Sequence, residues 1–269
     1  MTDGPVAVND DTWLITQLAE APPWGHIFLN SAVIRAAEPV LVDTGTAINR
    51  TAWLAQLGAV VDPADIRWIF LSHDDPDHVG NLGLMLELCP RATVLTTWFA
   101  VGRMALEQGI TIPMDRVRFV NDGDAIDVGD RTLRAVRPPV FDNPTTRGLF
   151  DPHTGFYWAG DCFGAPVSEF LVEAEDLPGD EWREGFLDMQ RMLSPWHTLL
   201  DHHRYSAAVD QVQRLPIDAA AGAHGPVVRG PRLDDAYRLL RTLPHAGPLT
   251  HYAQTDLEGW MAAAATGGP

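Results

Sequence analysis

One segment constrains this chain more than any other. The nearly continuous apolar run Ile66–Leu71 ends at Ser72 and passes directly into His73-Asp74-Asp75-Pro76-Asp77-His78. A short apolar run of that kind suits a strand covered on both faces, as in layered α/β domains. The pattern His-x-Asp-x-Asp-His then falls at its carboxyl end, the edge where such layers gather ligand-binding groups. Two imidazoles and two carboxylates within six residues can close around metal only on an irregular backbone, and Pro76 is expected to prevent a regular helix there. Taken alone, the same residues also fit a solvated acidic loop with two incidental histidines.

Repetition elsewhere favours the metal reading. Asp43 follows Val40-Leu41-Val42, Asp161 follows Phe156-Tyr157-Trp158-Ala159-Gly160, and His224 ends the small apolar run that starts at Ala219. Four polar groups at equivalent strand ends form a pattern that an incidental loop does not produce. The rest of the chain alternates short strands with amphipathic segments. Strands are expected at Trp13–Leu18, Ile27–Ile34, Pro39–Val42, Ala92–Thr96 and Arg116–Val120, with helices at Asn49–Leu57, Gly80–Leu88 and Trp98–Gln108. Asp124–Pro138 reads as β-rich, and Gly148–Phe150 with Phe156–Ala159 as a hairpin. Glu181–Leu193, Tyr205–Leu215 and Leu233–Leu243 read as helices, with a short strand at Asp218–Ala221. One domain is expected over residues 1–261, followed by a flexible tail over 262–269.

Composition narrows the function classes. The formal net charge is −17 and every one of the 19 basic residues is arginine, so an acidic surface disfavours a nucleic-acid partner. No apolar stretch approaches the roughly 20 residues of a membrane span, and the acidic first ten residues do not resemble a secretory signal. Cys89 and Cys162 stand far apart in no metal-knuckle spacing. Each is expected to be a buried free thiol, in keeping with a cytoplasmic protein.

From Asn30 to Arg229 the sequence resembles the metallo-β-lactamase superfamily. The phrases that carry the resemblance are Pro39-Val40-Leu41-Val42-Asp43-Thr44-Gly45, Leu71-Ser72-His73 through Asn81, Ala159-Gly160-Asp161-Cys162-Phe163-Gly164, and Ala223-His224-Gly225-Pro226. It implies an αββα sandwich with a binuclear metal site at one edge of the sheets. Zinc hydrolases of the superfamily usually carry His-x-His-x-Asp-His. Asp75 stands where their second histidine would be, which is similar to the di-iron branch of flavodiiron and stand-alone oxygen-binding proteins, where glutamate is typical. Gly160-Asp161-x-Phe163-Gly164 and Ser194-Pro195 also resemble that branch.

By position, the resemblance implies that His73 and Asp75 bind one metal, that Asp77, His78 and His224 bind the other, and that Asp161 bridges them. The remaining family ligand is a histidine in a phrase like Pro-x-x-His-x-Pro-Gly-Thr, and Pro139-Val140-Phe141-Asp142-Asn143-Pro144 sets Asp142 there. Either Asp142 binds, or it turns away and leaves one metal weakly held. Coordination is expected, because a carboxylate beside two cations is drawn inward. Asp43 is expected to orient a ligating histidine instead of binding metal.

The resemblance implies two metal ions, iron in first place with manganese or zinc as alternatives. The expected function is binding or reduction of a small diatomic molecule, O2 or NO. The family's reductases draw electrons from a flavodoxin domain carrying FMN. About 45 residues follow His224, too few for such a domain, so a separate electron donor or a sensing role is expected, and no FMN in this chain. A homodimer is consistent with the family. The alternatives are a metal-dependent hydrolase of a small ester or lactone, and a binding protein whose site has decayed at Asp142. Outside the ligand set, His153 is expected to be exposed in its turn, and His197, His202 and His203 to lie at the surface or a helix start. Trp13, Trp24, Trp98 and Trp196 are expected to serve packing.

Overall fold

Alternation along the strands sets the layers of the computed structural model, which describes residues 4–22 and 24–265. The N-terminal sheet runs in chain order through β1 (Val6–Ala7), β2 (Thr12–Glu20), β3 (His26–Ile34), β4 (Val40–Val42), β5 (Trp68–Phe70), β6 (Thr93–Thr96) and β7 (Val117–Phe119). Its first four strands pair antiparallel, and β4 to β7 pair parallel through helical crossovers. The crossovers carry α1 (Arg50–Val60), α2 (Pro76–Val79), α3 (Leu82–Leu88) and α4 (Trp98–Arg103). The second sheet orders β8 (Ala125–Asp127), β9 (Thr132–Val136), β10 (Gly148–Asp151), β11 (Phe156–Trp158), β12 (Ala219–Ala221) and β13 (Val228–Arg229). Helices α5 (Gly179–Leu193) and α6 (His202–Gln213) join β11 to the parallel β12, and α7 (Gly230–Thr242) follows β13.

Successive residues of β5 and its neighbours serve opposite layers. Phe70 packs between the sheets with Val42, Leu95, Leu149 and Trp158, whereas Ile69 and Leu71 face Trp53, Leu57, Leu82 and Met85 on the helical side. β11 repeats the pattern: Phe156 and Trp158 face the other sheet, and Tyr157 faces Phe186 and Val209 of α5 and α6. Two sheets, each covered by helices on its outer face, make the expected αββα sandwich. Strand periodicity of two is what forces it, since a residue-by-residue alternation of apolar faces needs a partner layer on each side.

Several local expectations change. The helix expected over Trp98–Gln108 is α4 followed by a π-helical stretch, Met104–Gln108, that ends at Gly109 with φ +69°. A further helix, α8 (Gln254–Ala265), covers the start of the expected tail, and residues 266–269 lie outside the described residues. Its apolar side chains Leu257, Trp260 and Met261 are exposed. No described helix is long and apolar enough to cross a membrane. Both cysteines are free and buried, as expected.

The inter-sheet layer holds both halves together at the edge that carries the polar cluster. Truncating Phe70, which is fully buried there, to alanine is expected to destabilise the chain by about 3–5 kcal/mol, read from urea unfolding. A loss under about 1 kcal/mol would mean that the sheets do not pack through this residue.

Candidate metal centre

The cluster is assembled from strand ends. After β5 the chain bends at Ser72 and leaves regular structure, and Asp75 sits at φ −73°, ψ 150° before a proline that disfavours helix at the preceding residue. Pro76 then opens a helix instead of preventing one. It occupies the first turn of α2, where its missing N–H has no intrahelical partner to lose, and Asp77 and His78 ride in that turn. Gly80 ends the turn against the loop that follows β4: a Cβ there would lie 2.6 Å from the Ala47 nitrogen and 2.8 Å from the Gly45 oxygen. No larger residue lets these two loops meet.

Asp161 lies at the centre. One of its oxygens is 3.3 Å from His73 Nε2, and the other is 2.9 Å from His78 Nε2 and 3.3 Å from His224 Nε2. Asp75 Oδ2 lies 3.6 Å from His73 Nε2, Asp77 Oδ2 lies 3.6 Å from His78 Nε2, and the same Asp77 oxygen is 3.2 Å from His224 Nε2. Two donors held at about 2.1 Å from one ion stand roughly 3.0–3.5 Å apart, so these separations fit shared coordination. Three groups have ligand atoms within 4.8 Å of one another: His73, Asp75 and Asp142; Asp77, His78 and His224; and His73, His78 and Asp161. The first two describe two neighbouring positions and the third spans them. All seven residues named from the sequence are thus brought together, Asp142 included.

Buried polar atoms that face only one another support the fit. His73 Nε2, His78 Nε2 and Asp161 Oδ1 are inaccessible to solvent and, beyond the close approaches within the cluster, have no hydrogen-bond partner among the described residues. The opposite ring nitrogens are occupied. His78 Nδ1 meets Asp43 Oδ2 at 2.9 Å, His224 Nδ1 meets the Phe28 carbonyl at 2.9 Å, and His73 Nδ1 meets Ser72 Oγ at 3.0 Å. With Nδ1 donating, each Nε2 keeps its lone pair for a cation. Asp43 is wholly buried and also accepts from the Ser72 N–H, the Ser72 hydroxyl and Trp158 Nε1. Its φ of +56°, uncommon for a residue with a side chain, aims the carboxylate into this pocket.

Residues that the sequence reading treated as spacers turn out to organise the site. Asn143 Nδ2 donates to Asp75 Oδ1 at 2.8 Å and to Asp74 Oδ1 at 3.2 Å, which leaves Asp75 Oδ2 facing His73. Asn143 Oδ1 accepts from Arg103 Nη1, the Thr145 N–H and the Thr145 hydroxyl. Buried Asp74 accepts from Arg103 and Thr145 in turn. The loop bearing Asp142 is therefore tied to the loop bearing Asp75. Adjacency to the ligands was the only signal for Asp74 and Asn143, and nothing in the spacing pointed to Arg103. His153 is exposed and lies near Asp11, outside the cluster. His202 and His203 are exposed at the start of α6, but His197 is buried, its ring nitrogens meeting the carbonyls of Ser194, Ala246 and Gly247. Trp98 is exposed and contributes little packing.

Without a cation the cluster is balanced by protons. Burial opposes ionisation of Asp161, but His73, His78 and His224 outweigh it and hold its carboxyl well below the usual range. Burial likewise opposes charging of His224, yet Asp161 and Asp77 raise it to about 10, and Asp161 with Asp43 raises His78 well above its ordinary value. Burial first, then the charges of Asp161 and Asp75, pushes Asp142 up to about 6. A metal must displace the histidine protons, and below about pH 6 it must also displace one from Asp142.

Metal uptake by the metal-free protein is thus expected to release protons and to tighten from about pH 6 to pH 9 in competition titrations. An affinity independent of pH would contradict the arrangement. Asn143→Ala is expected to weaken the His73–Asp75–Asp142 position by about 10–100-fold while the Asp77–His78–His224 position keeps its metal. Metal analysis after graded chelation reads the difference, and equal loss from both positions would argue against this role.

The family model described as "ODP family beta lactamase" matches residues 28–225. Diflavin flavoprotein A 1 of Synechocystis sp. is 34% identical over 202 residues, 74% of this chain and 34% of that protein. Type A flavoprotein fprA of Rhodobacter capsulatus is 28% identical over 204 residues, 74% of this chain and 45% of the relative. The chain thus spans well under two thirds of the curated relatives that it matches. Among solved structures, rubredoxin oxygen:oxidoreductase from Desulfovibrio gigas superposes with a TM-score of 0.80 at 17% identity, covering 91% of this chain and 62% of that one. A 1–254 fragment of diflavin flavoprotein A 5 from Nostoc sp. gives 0.73 at 18% identity, covering 90% and 96%. With the matched family model spanning most of the sandwich and its ligand loops, the chain belongs to the ODP family within the metallo-β-lactamase superfamily, alongside flavodiiron proteins.

Proposed function

We propose that this chain is a binuclear non-haem iron protein that binds or reduces a small diatomic molecule, O2 or NO. The observation that carries the reading is the donor set: Asp75, Asp77, Asp142 and Asp161 with His73, His78 and His224, in two groups that share Asp161. Anionic oxygen donors suit iron or manganese better than zinc and favour the oxidised pair. A bound iron pair would supply the electrons and the open coordination positions for such a ligand.

The chain's own residues hold and tune that pair. Asp43 fixes the ring of His78, the Phe28 carbonyl fixes His224, and Asn143 turns Asp75 so that one oxygen faces inward. Asp161 is almost wholly buried, whereas Asp75, Asp77 and Asp142 reach solvent, so a diatomic ligand would enter past these three carboxylates. Electrons for turnover come from a donor outside this core. The names of the relatives, which include a rubredoxin oxygen:oxidoreductase, support an oxygen-reducing role, and the two buried free thiols suit a reducing cytoplasm.

The protein reconstituted anaerobically with Fe(II) is expected to bind two irons and to change its optical spectrum on addition of O2 or NO. Asp142→Asn is expected to lower the occupancy of one iron. Zinc-only protein without an O2 or NO response, but with metal-dependent ester hydrolysis lost in His78→Ala, would overturn the reading in favour of a hydrolase.

A further inference from the structure

The hairpin that carries Asp142 is closed at its base by two arginines. Continuing the β9–β10 register one step beyond the Gly148–Val136 pair sets Arg147 directly opposite Arg137. Like charges facing each other across strands repel, and the proximity of Arg137, after burial, lowers the affinity of Arg147 for its proton. Neither guanidinium forms a salt bridge among the described residues, although other arginines of this acidic chain do. Asp122 and Asp124 act on Arg147 only from a distance, and Asp122 spends a carboxylate oxygen on the Arg137 backbone N–H.

The donors left over are buried. Arg147 is 9% exposed, and its Nε, like that of Arg137, is inaccessible to solvent and has no partner among the described residues. The side-chain hydrogen bond that Arg147 makes is from Nη1 to the neighbouring Thr146 carbonyl, at 2.7 Å. Phe141 walls one side, with the Arg137 guanidinium 5.2 Å above its ring and Trp196 packed 5.7 Å away. The backbone beneath is fixed, since the Arg147 N–H donates to the Ser72 carbonyl at 2.7 Å.

We propose that Arg137 and Arg147 form a receptor for a small oxyanion, a phosphate or a carboxylate, beside the metal-ligand cluster and separate from it. Two guanidinium groups offer forked donors that match such an anion, and its charge removes the repulsion between them. An apolar ligand would leave the like charges of the two neighbouring guanidinium groups uncompensated. The aromatic wall suits an anion attached to a larger flat body. The site stands independently of the iron reading, because it uses none of the seven metal ligands.

Calorimetric titration of the purified metal-loaded protein with inorganic phosphate, and separately with acetate, tests the proposal. Binding of at least one is expected, and Arg137→Gln and Arg147→Gln are each expected to weaken it about tenfold or more. His78→Ala, which removes a metal ligand, is expected to leave that binding in place. Tighter phosphate marks a phosphoryl ligand and tighter acetate a carboxylate ligand. Should the Arg147 variant fail to fold, the half-buried Arg137 gives the same reading. The proposal is overturned if neither anion binds at about 10 mM, or if binding is lost in His78→Ala and unchanged in the arginine variants, which would put the anion on the metals.

Discussion

Asp161 presents one oxygen to His73 and the other to His78 and His224 in an almost wholly buried place. A buried carboxylate of that kind is costly to hold unless positive charge surrounds it. Three imidazoles supply the charge as protonated rings in the metal-free chain, or pass the task to cations once their protons leave. The strand ends, the strained Asp43 and the two tied loops all serve to keep these groups within about 3–4 Å of each other, the spacing that metal ligands require.

The shell's composition decides what it can hold. Asp75, Asp77, Asp142 and Asp161 together carry four negative charges, which two divalent cations would neutralise. Asp142 stands where the resemblance implies a histidine, and a neutral imidazole there would leave two such cations with excess positive charge. Its raised proton affinity without metal follows from the same crowding, as burial and the neighbouring Asp161 both resist another anion. Asn143, next in sequence, offsets the crowding by donating to Asp75 and Asp74, and Arg103 adds the one guanidinium in that network.

The layered α/β class was legible because β5 and β11 read as short continuous apolar runs, and in the fold their residues fill two buried layers alternately. The αββα arrangement itself was implied by the family resemblance. The cluster was legible because four of its seven members stand in one short motif, Asp161 and His224 follow apolar runs, and Asp142 occupies a position that the resemblance pointed to. Pro76 was misread: the same ring that breaks a helix interior starts a helix when it stands in the first turn. The Arg103–Asp74–Asn143–Thr145 network escaped the sequence because its members come from three separate segments and meet only after folding. His197 escaped for a similar reason, since its ring meets the carbonyls of Ala246 and Gly247, in an irregular segment about 50 residues away with no apolar signal. Arg137 and Arg147 look like ordinary surface arginines until the β9–β10 register, carried one step past its last pair, brings them opposite each other.

Anomalous diffraction at the iron edge, from crystals of anaerobically iron-loaded protein, tests the central claim most directly. The account predicts two iron peaks flanking the Asp161 carboxylate, one bound by His73, Asp75 and Asp142 and the other by Asp77, His78 and His224. A single peak, or two peaks with Asp142 turned to solvent, would contradict it.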